Sequence, residues 1–214
     1  MGQEGSAARY GRVPTTAGKG QPVTRISWYD AVVWLNAFSE RQGLQPCYTY
    51  QGTILRDSSD TAALDLCECN WRANGYRLPT ESEWEYAARK QKNGFASGAL
   101  ASGQSVTVDD SDMVAWTESN ADGTRPAGIL RANAAGFYDM SGNVLEFCWD
   151  WAADYEETNT AARYTGPRIG SARVSRGGSW SEYTLFYCTG DRYYYDPNEC
   201  YDYMGFRIAQ TVLE

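Results

Sequence analysis

Asn74-Gly75-Tyr76-Arg77-Leu78-Pro79-Thr80-Glu81-Ser82-Glu83-Trp84-Glu85-Tyr86-Ala87-Ala88-Arg89 is the stretch on which the fold turns. Thr80 and Glu83 stand three apart, so a hydroxyl can accept from one orphan amide at a helix start while a carboxylate returns to another. Trp84, Ala87 and Ala88 then share one face, and Arg89 and Lys90 suit the carboxyl end of the dipole. Upstream, Ser27 and Asp30 repeat the capping pattern. Ala31, Trp34, Leu35 and Phe38 follow at i, i+3, i+4, i+7, and Gly43 can end that helix. Between the two helices, Cys47-Tyr48-Thr49-Tyr50 and Gly52-Thr53-Ile54 predict a short hairpin. Beyond Gly94 the helical period stops. Runs such as Val114-Ala115-Trp116 and Arg173-Val174-Ser175 are expected as brief strands joined by long loops. The predicted class is α+β: two early helices, short strands, and irregular loops organised by Trp and Tyr.

Composition bounds what such a domain can do. At 214 residues the chain fits one domain, with residues 1–21 read as a polar, Gly-rich lead or remnant and 22–214 as the folded unit. A net charge of −8 argues against nucleic acid and anionic membrane as partners. The count of His is zero, which removes the commonest general base and most zinc and iron sites. No run is long and apolar enough to span a membrane, and no signal peptide is read at Met1. Six cysteines are too few for a disulfide scaffold, and Cys67-x-Cys69 is a weak metal signal; mostly buried thiols with one bridge at most are expected.

Three stretches together are specific: Asn74 to Arg89 above; Ala134-Ala135-Gly136-Phe137-Tyr138-Asp139-Met140-Ser141-Gly142-Asn143-Val144-Leu145-Glu146-Phe147; and Arg176-Gly177-Gly178-Ser179-Trp180 with Gly205-Phe206-Arg207. With Pro22-Val23-Thr24-Arg25-Ile26-Ser27-Trp28-Tyr29-Asp30-Ala31, they resemble the formylglycine-generating-enzyme (sulfatase-modifying factor) family, from about residue 22 to 209. The resemblance implies a variant of the C-type lectin fold lacking the family's usual N-terminal portion. The family's oxidases use a copper-binding cysteine pair shortly after the Gly-Gly-Ser-aromatic motif. Here Ser181 to Tyr187 contain no cysteine, and the histidine-rich motif of related iron-dependent sulfoxide synthases has no counterpart. Neither copper nor iron is therefore expected.

In place of those ligands lies an unusual composition. Residues 181–203 carry seven of the 16 tyrosines, Tyr183, Tyr187, Tyr193, Tyr194, Tyr195, Tyr201 and Tyr203, plus Phe186. Tyr193 to Tyr195 cannot all share one face of a helix or strand, so some are expected to be exposed. Exposed Tyr is suited to recognition, offering a large rigid contact with few torsions to fix. Ser181, Leu185, Asp191, Asp196, Asn198 and Asp202 complete the candidate ligand-binding set. The alternative is a Tyr-rich core, against which stand the interspersed carboxylates. The pattern of fixed residues framing Tyr, Phe, Leu, Asp, Ser, Cys and Asn is similar to the variable region of diversity-generating-retroelement target proteins, of the type known from treponemal surfaces. That resemblance implies error-prone copying of template adenines, with Glu182, Glu199 and Met204 outside its reach. It also implies a cell-surface or extracellular location.

The family resemblance further implies a structural calcium site from Asp139, the carbonyls of Gly142 and Val144, and Glu146, oxygen donors of the kind a hard cation takes. The alternative is that Asp139 and Glu146 hold the same turn by hydrogen bonds. The leading expectation is a non-catalytic binding module for a protein ligand or surface glycan. The competing one is a divergent copper-dependent formylglycine-generating oxidoreductase with Cys188 and Cys200 as its redox pair.

Overall fold

The structure is a computed structural model that describes residues 18–107, 109–155, 164–182 and 187–212. Helix α1 (Trp28–Arg41) begins where the capping box places it. The Ser27 hydroxyl accepts from the Asp30 amide, and the Asp30 carboxylate accepts from the Ser27 amide. Gly43, at φ 70°, follows the last turn. The hairpin β1 (Tyr48–Tyr50) and β2 (Thr53–Ile54) turns through Gln51 and Gly52, both at positive φ. Strand β3 (Glu68–Cys69) joins the other edge of β1. Between them a short helix α2 (Thr61–Asp65) adds a third helix to the two expected. It was missed because five residues show little periodicity; Asp60 caps it through the Ala63 amide.

After β4 (Tyr76–Arg77) comes helix α3 (Glu81–Arg89), capped by Thr80 and Glu83 in the expected manner. The sheet that carries the candidate site consists of β5 (Leu145–Trp151), β6 (Arg173–Arg176), β7 (Arg192–Tyr195) and β8 (Met204–Phe206), in the order β7-β6-β5-β8. Only the β5–β8 pair is parallel. β9 (Ala209–Gln210) returns to pair with β4.

The sheet is covered on both faces. On one, Leu145, Phe147 and Met204 join Trp28, Tyr29, Leu35, Tyr48 and Leu78 in the main core under α1. On the other, Cys148 and Val174 meet Trp84 and Ala88 of α3. Arg173 passes into the first core between Trp28 and Trp151, its guanidinium carbon 3.5 and 3.4 Å from the ring centroids. Burial holds its pKa down at about 9, and Nη1 donates to the Trp149 carbonyl at 2.6 Å. The strand expected at Val114-Ala115-Trp116 is absent. A 3-10 turn (Ser111–Met113) precedes Val114, and Trp116 makes a single bridge to Gly142, its neighbours being buried by packing with no partner strand. Among the described residues, no helix is long and apolar enough to cross a membrane.

Candidate ligand-binding face

Strand β7 forms one edge of the central sheet, and α3 fixes where it lies. Arg176, fully buried, donates to Glu85 (2.6 Å) and to the carbonyls of Thr189 (2.9 Å), Gly190 (3.1 Å) and Asp191 (2.5 Å). Arg192 forms a fork with Glu81, Nε and Nη2 donating at 2.5 and 2.7 Å, and reaches the Ala153 carbonyl at 3.1 Å. That ion pair raises the Arg192 pKa against the opposing effect of burial. Thr189 and Gly190 donate to the carbonyls of Leu100 and Gly98. The chain beyond β7 is tied down too: the Pro197 carbonyl accepts from the Trp28 amide, that of Tyr201 from the Arg25 amide, and that of Tyr203 from the Leu145 amide.

On this frame the expected tyrosines divide between two faces. The register pairs Ser175 with Tyr193, Val174 with Tyr194 and Arg173 with Tyr195. Tyr193 and Tyr195 therefore lie on the α1 side with Ser175 and Arg173, and Tyr194 lies on the α3 side with Arg192, whose guanidinium sits 5.3 Å from its ring. Tyr201 and Tyr203 stack at 5.0 Å with an interplanar angle of 3°. Tyr195 meets Tyr201 edge-on at 5.9 Å, and the hydroxyls of Tyr195 and Tyr203 are hydrogen-bonded. These four rings, Tyr193, Tyr195, Tyr201 and Tyr203, pack partly on the main core and partly face solvent. Tyr194 is 50% exposed.

Tyr187 does not belong to the face. It is 5% exposed and packs with Ala101, Val114 and Ala115, because Ser141 accepts the chain there by donating to the Tyr187 carbonyl. Ser181 is half-buried beside the Ser179 hydroxyl. Asp191 is turned back to the Cys188 amide, whereas Asp196 and Asp202 are exposed and Asn198 donates to Asp196. Tyr183, Leu185 and Phe186 lie outside the described residues, as does most of the 1–21 lead.

Two further residues complete the face. Glu182 is half-buried; burial raises the phenol pKa values of Tyr193, Tyr195 and Tyr203, and the charge of Glu182 acts in the same direction. Burial lifts its own carboxyl above the usual range. Glu199 accepts from the Tyr201 hydroxyl at 2.8 Å and acts on Tyr195 and Tyr203 in the same way. The sequence signal for both was available: residues 181–206 hold five acidic side chains and one basic one.

The expected calcium donors are spent differently. Glu146 is buried, and its oxygens accept from Arg207 Nε (2.5 Å) and Nη2 (2.7 Å) and from Trp84 Nε1 (2.7 Å). Arg207 also donates to the Asp139 carbonyl at 3.1 Å, so the positive charge between Asp139 and Glu146 is a guanidinium. The Asp139 carboxylate accepts from the Gly128 amide. Gly142, at φ 71°, lies so close to Trp116 that a Cβ would stand 2.1 Å from its carbonyl oxygen, and Val144 is buried in the same turn. Asp139, Gly142, Val144 and Glu146 thus share a turn, but as arranged its carboxylates do not form an oxygen shell fitted to calcium. Of the cysteine pair considered for redox work, Cys188 directs its thiol at the Ala99 carbonyl (3.3 Å) and Cys200 is buried.

Residues 1–212 match the model of the sulfatase-modifying factor enzyme 1-like domain. The chain belongs to that family. It is 35% identical over 180 residues to the chaperone protein LppX of Paenibacillus barcinonensis, covering 76% of this chain and 60% of that one. It is 34% identical over 161 residues to the formylglycine-generating enzyme of Thermomonospora curvata, covering 65% and 50%. The family domain here thus spans little more than half the length of these curated relatives. Among solved structures, Treponema denticola variable protein 1 superposes with a TM-score of 0.79 at 33% identity, covering 92% of this chain and 74% of that one. CarF superposes at 0.70 with 28% identity, covering 92% and 70%. The α+β, lectin-like class expected from the three stretches is the fold observed.

Proposed function

We propose that this chain is a non-catalytic recognition protein that presents the tyrosines of β7 and the segment after it to a ligand on a surface-exposed domain. The observation that carries the reading is the half-exposed cluster of Tyr193, Tyr195, Tyr201 and Tyr203, held on a fixed sheet edge and the segment that follows it. The likeness to a variable protein supports it, and with it the reading that residues about 181–203 are diversified by a retroelement. A protein ligand is favoured over a glycan because clustered Tyr serves protein interfaces broadly.

Two measurements test this. A reverse-transcriptase gene beside this one, with a near-copy of the region coding for 181–203 that differs at adenines, is the expected genomic setting; a locus with neither would overturn the diversification reading. A library of surface proteins and glycans screened with the wild-type protein and with a Tyr193→Ala/Tyr195→Ala/Tyr203→Ala variant should yield ligands that only the wild type retains. Ligands held equally by both would refute the assignment of the face.

A further inference from the structure

The pairing of β1 with β3 draws Cys47 and Cys69 together. The register sets Tyr48 opposite Cys69, and at the next position the Asn70 amide donates to the Cys47 carbonyl at 2.8 Å. Cys47 therefore stands one step along the ladder from Cys69, and antiparallel spacing puts their Cα atoms about 6 Å apart, inside the range a disulfide spans. Regular alternation would turn the two side chains to opposite faces, but Cys47 lies just before β1, outside the regular strand. The Cys69 thiol donates to the Cys47 sulfur, and both residues pack in the main core. The approach to Cys47 is fixed from the other side. The Gln45 amide donates to the Asn74 side chain at 2.9 Å, and a Cβ on Gly75 would stand 2.2 Å from the Gln45 carbonyl oxygen. A third thiol, Cys67, precedes β3, yet among the described residues no three acidic or thiol groups are placed to share a metal ion. Burial pushes the Cys67 thiol up to about 12, whereas the hydrogen bond from Cys69 holds the Cys47 thiol down, aided by the charge of Arg77.

We infer that Cys47 and Cys69 are a native disulfide pair that closes the 47–69 segment, with its hairpin and α2, against the main core. The inference goes beyond the recognition reading and rests on its surface location only for an oxidising setting. Glutathione disulfide is a sufficient oxidant. The Cys69 thiolate, partly open to solvent, attacks one of its sulfurs and releases a glutathione thiolate. The Cys47 thiolate then attacks the Cys69 sulfur and releases the second. Two protein thiols become one disulfide, and one glutathione disulfide becomes two thiols.

The test oxidises the full chain with glutathione disulfide, blocks the remaining thiols with N-ethylmaleimide in urea, and cleaves without reduction after Lys, Arg and Glu. The cut after Glu68 separates Cys67 from Cys69. Mass spectrometry is expected to find one peptide pair joining Cys47 to Cys69, kept in Cys67→Ser and lost in Cys69→Ala. The oxidised chain should melt at least about 5 °C above the reduced one, a gap that Cys69→Ala closes. Cys47 found alkylated, or joined to Cys67 or to any other thiol, would overturn the inference. So would oxidation that leaves the melting temperature unchanged or lowers it. The screen with the tyrosine variant is read separately, so failure here leaves the recognition reading to its own test.

Discussion

The α3 side of β7 and its α1 side are built from similar residues put to opposite uses. On the α3 side, Glu81 and Glu85 meet Arg192, Arg176 and Arg89, so each carboxylate faces a guanidinium and the charges hold the strand in place. On the α1 side, Arg173 is buried against Trp28 and Trp151, Glu199 accepts from the Tyr201 phenol, and Asp202 meets Arg25 in an exposed pair. The first arrangement joins buried charges directly, whereas the second is largely rings and neutral hydrogen bonds left half in solvent. Ionic groups in one molecule can therefore be sorted into supports and contacts by asking whether their counter-charge is already present.

Breaking the support should cost most. Arg176→Met removes the cation from Glu85 and the donors from three carbonyls, and should lower unfolding free energy by about 3–5 kcal/mol in urea melts. A loss below 1 kcal/mol would mean the network holds little. A second contrast lies within the tyrosines: Tyr187→Ala should cost about 3 kcal/mol because it empties a buried site, and Tyr194→Ala less than about 1 kcal/mol because its ring is half in solvent. Equal losses would erase the distinction between packing and display.

A smaller effect sharpens the support side. Asp150 accepts from the Glu81 amide at the start of α3, and its other oxygen is buried without a hydrogen-bond partner among the described residues. Burial pushes its pKa from 3.8 to about 7, with the Glu81 charge acting in the same direction. The folded pKa lies above the unfolded one, so this group's contribution is fully present below about pH 4 and is lost as pH rises to about 7. Urea melts from pH 4.5 to 7.5 should show that decline, at no more than about 1.4 kcal/mol per unit. Asp150→Asn should flatten it, and an unchanged slope would assign the decline to other groups. Smallest of all, melting curves in calcium and in chelator should agree within about 1 °C, because Arg207 holds the charge Glu146 needs. A clear rise in calcium would restore the ion to that turn.

Much of this was legible in the sequence where local chemistry decides. Ser27 with Asp30 and Thr80 with Glu83 announce both long helices, since capping depends on residues three apart. The exposure of at least one of Tyr193 to Tyr195 follows from alternation alone. What could not be read depends on distant pairing. The division of those tyrosines between two faces needs the β6–β7 register, and the burial of Tyr187 needs Ser141, 46 positions away. The fate of Glu146 was hidden for the same reason: its guanidinium arrives from Arg207, 61 positions on.

One feature of the support has a consequence for inheritance. Arg176, Trp28, Arg25 and Leu145 all grip the 189–203 segment by its peptide oxygens, which every amino acid possesses. Where those oxygens belong to Tyr201 and Tyr203, whose rings only half-pack on the core, the hold does not depend on which side chain is present, so the binding surface there can change while the path of the backbone stays.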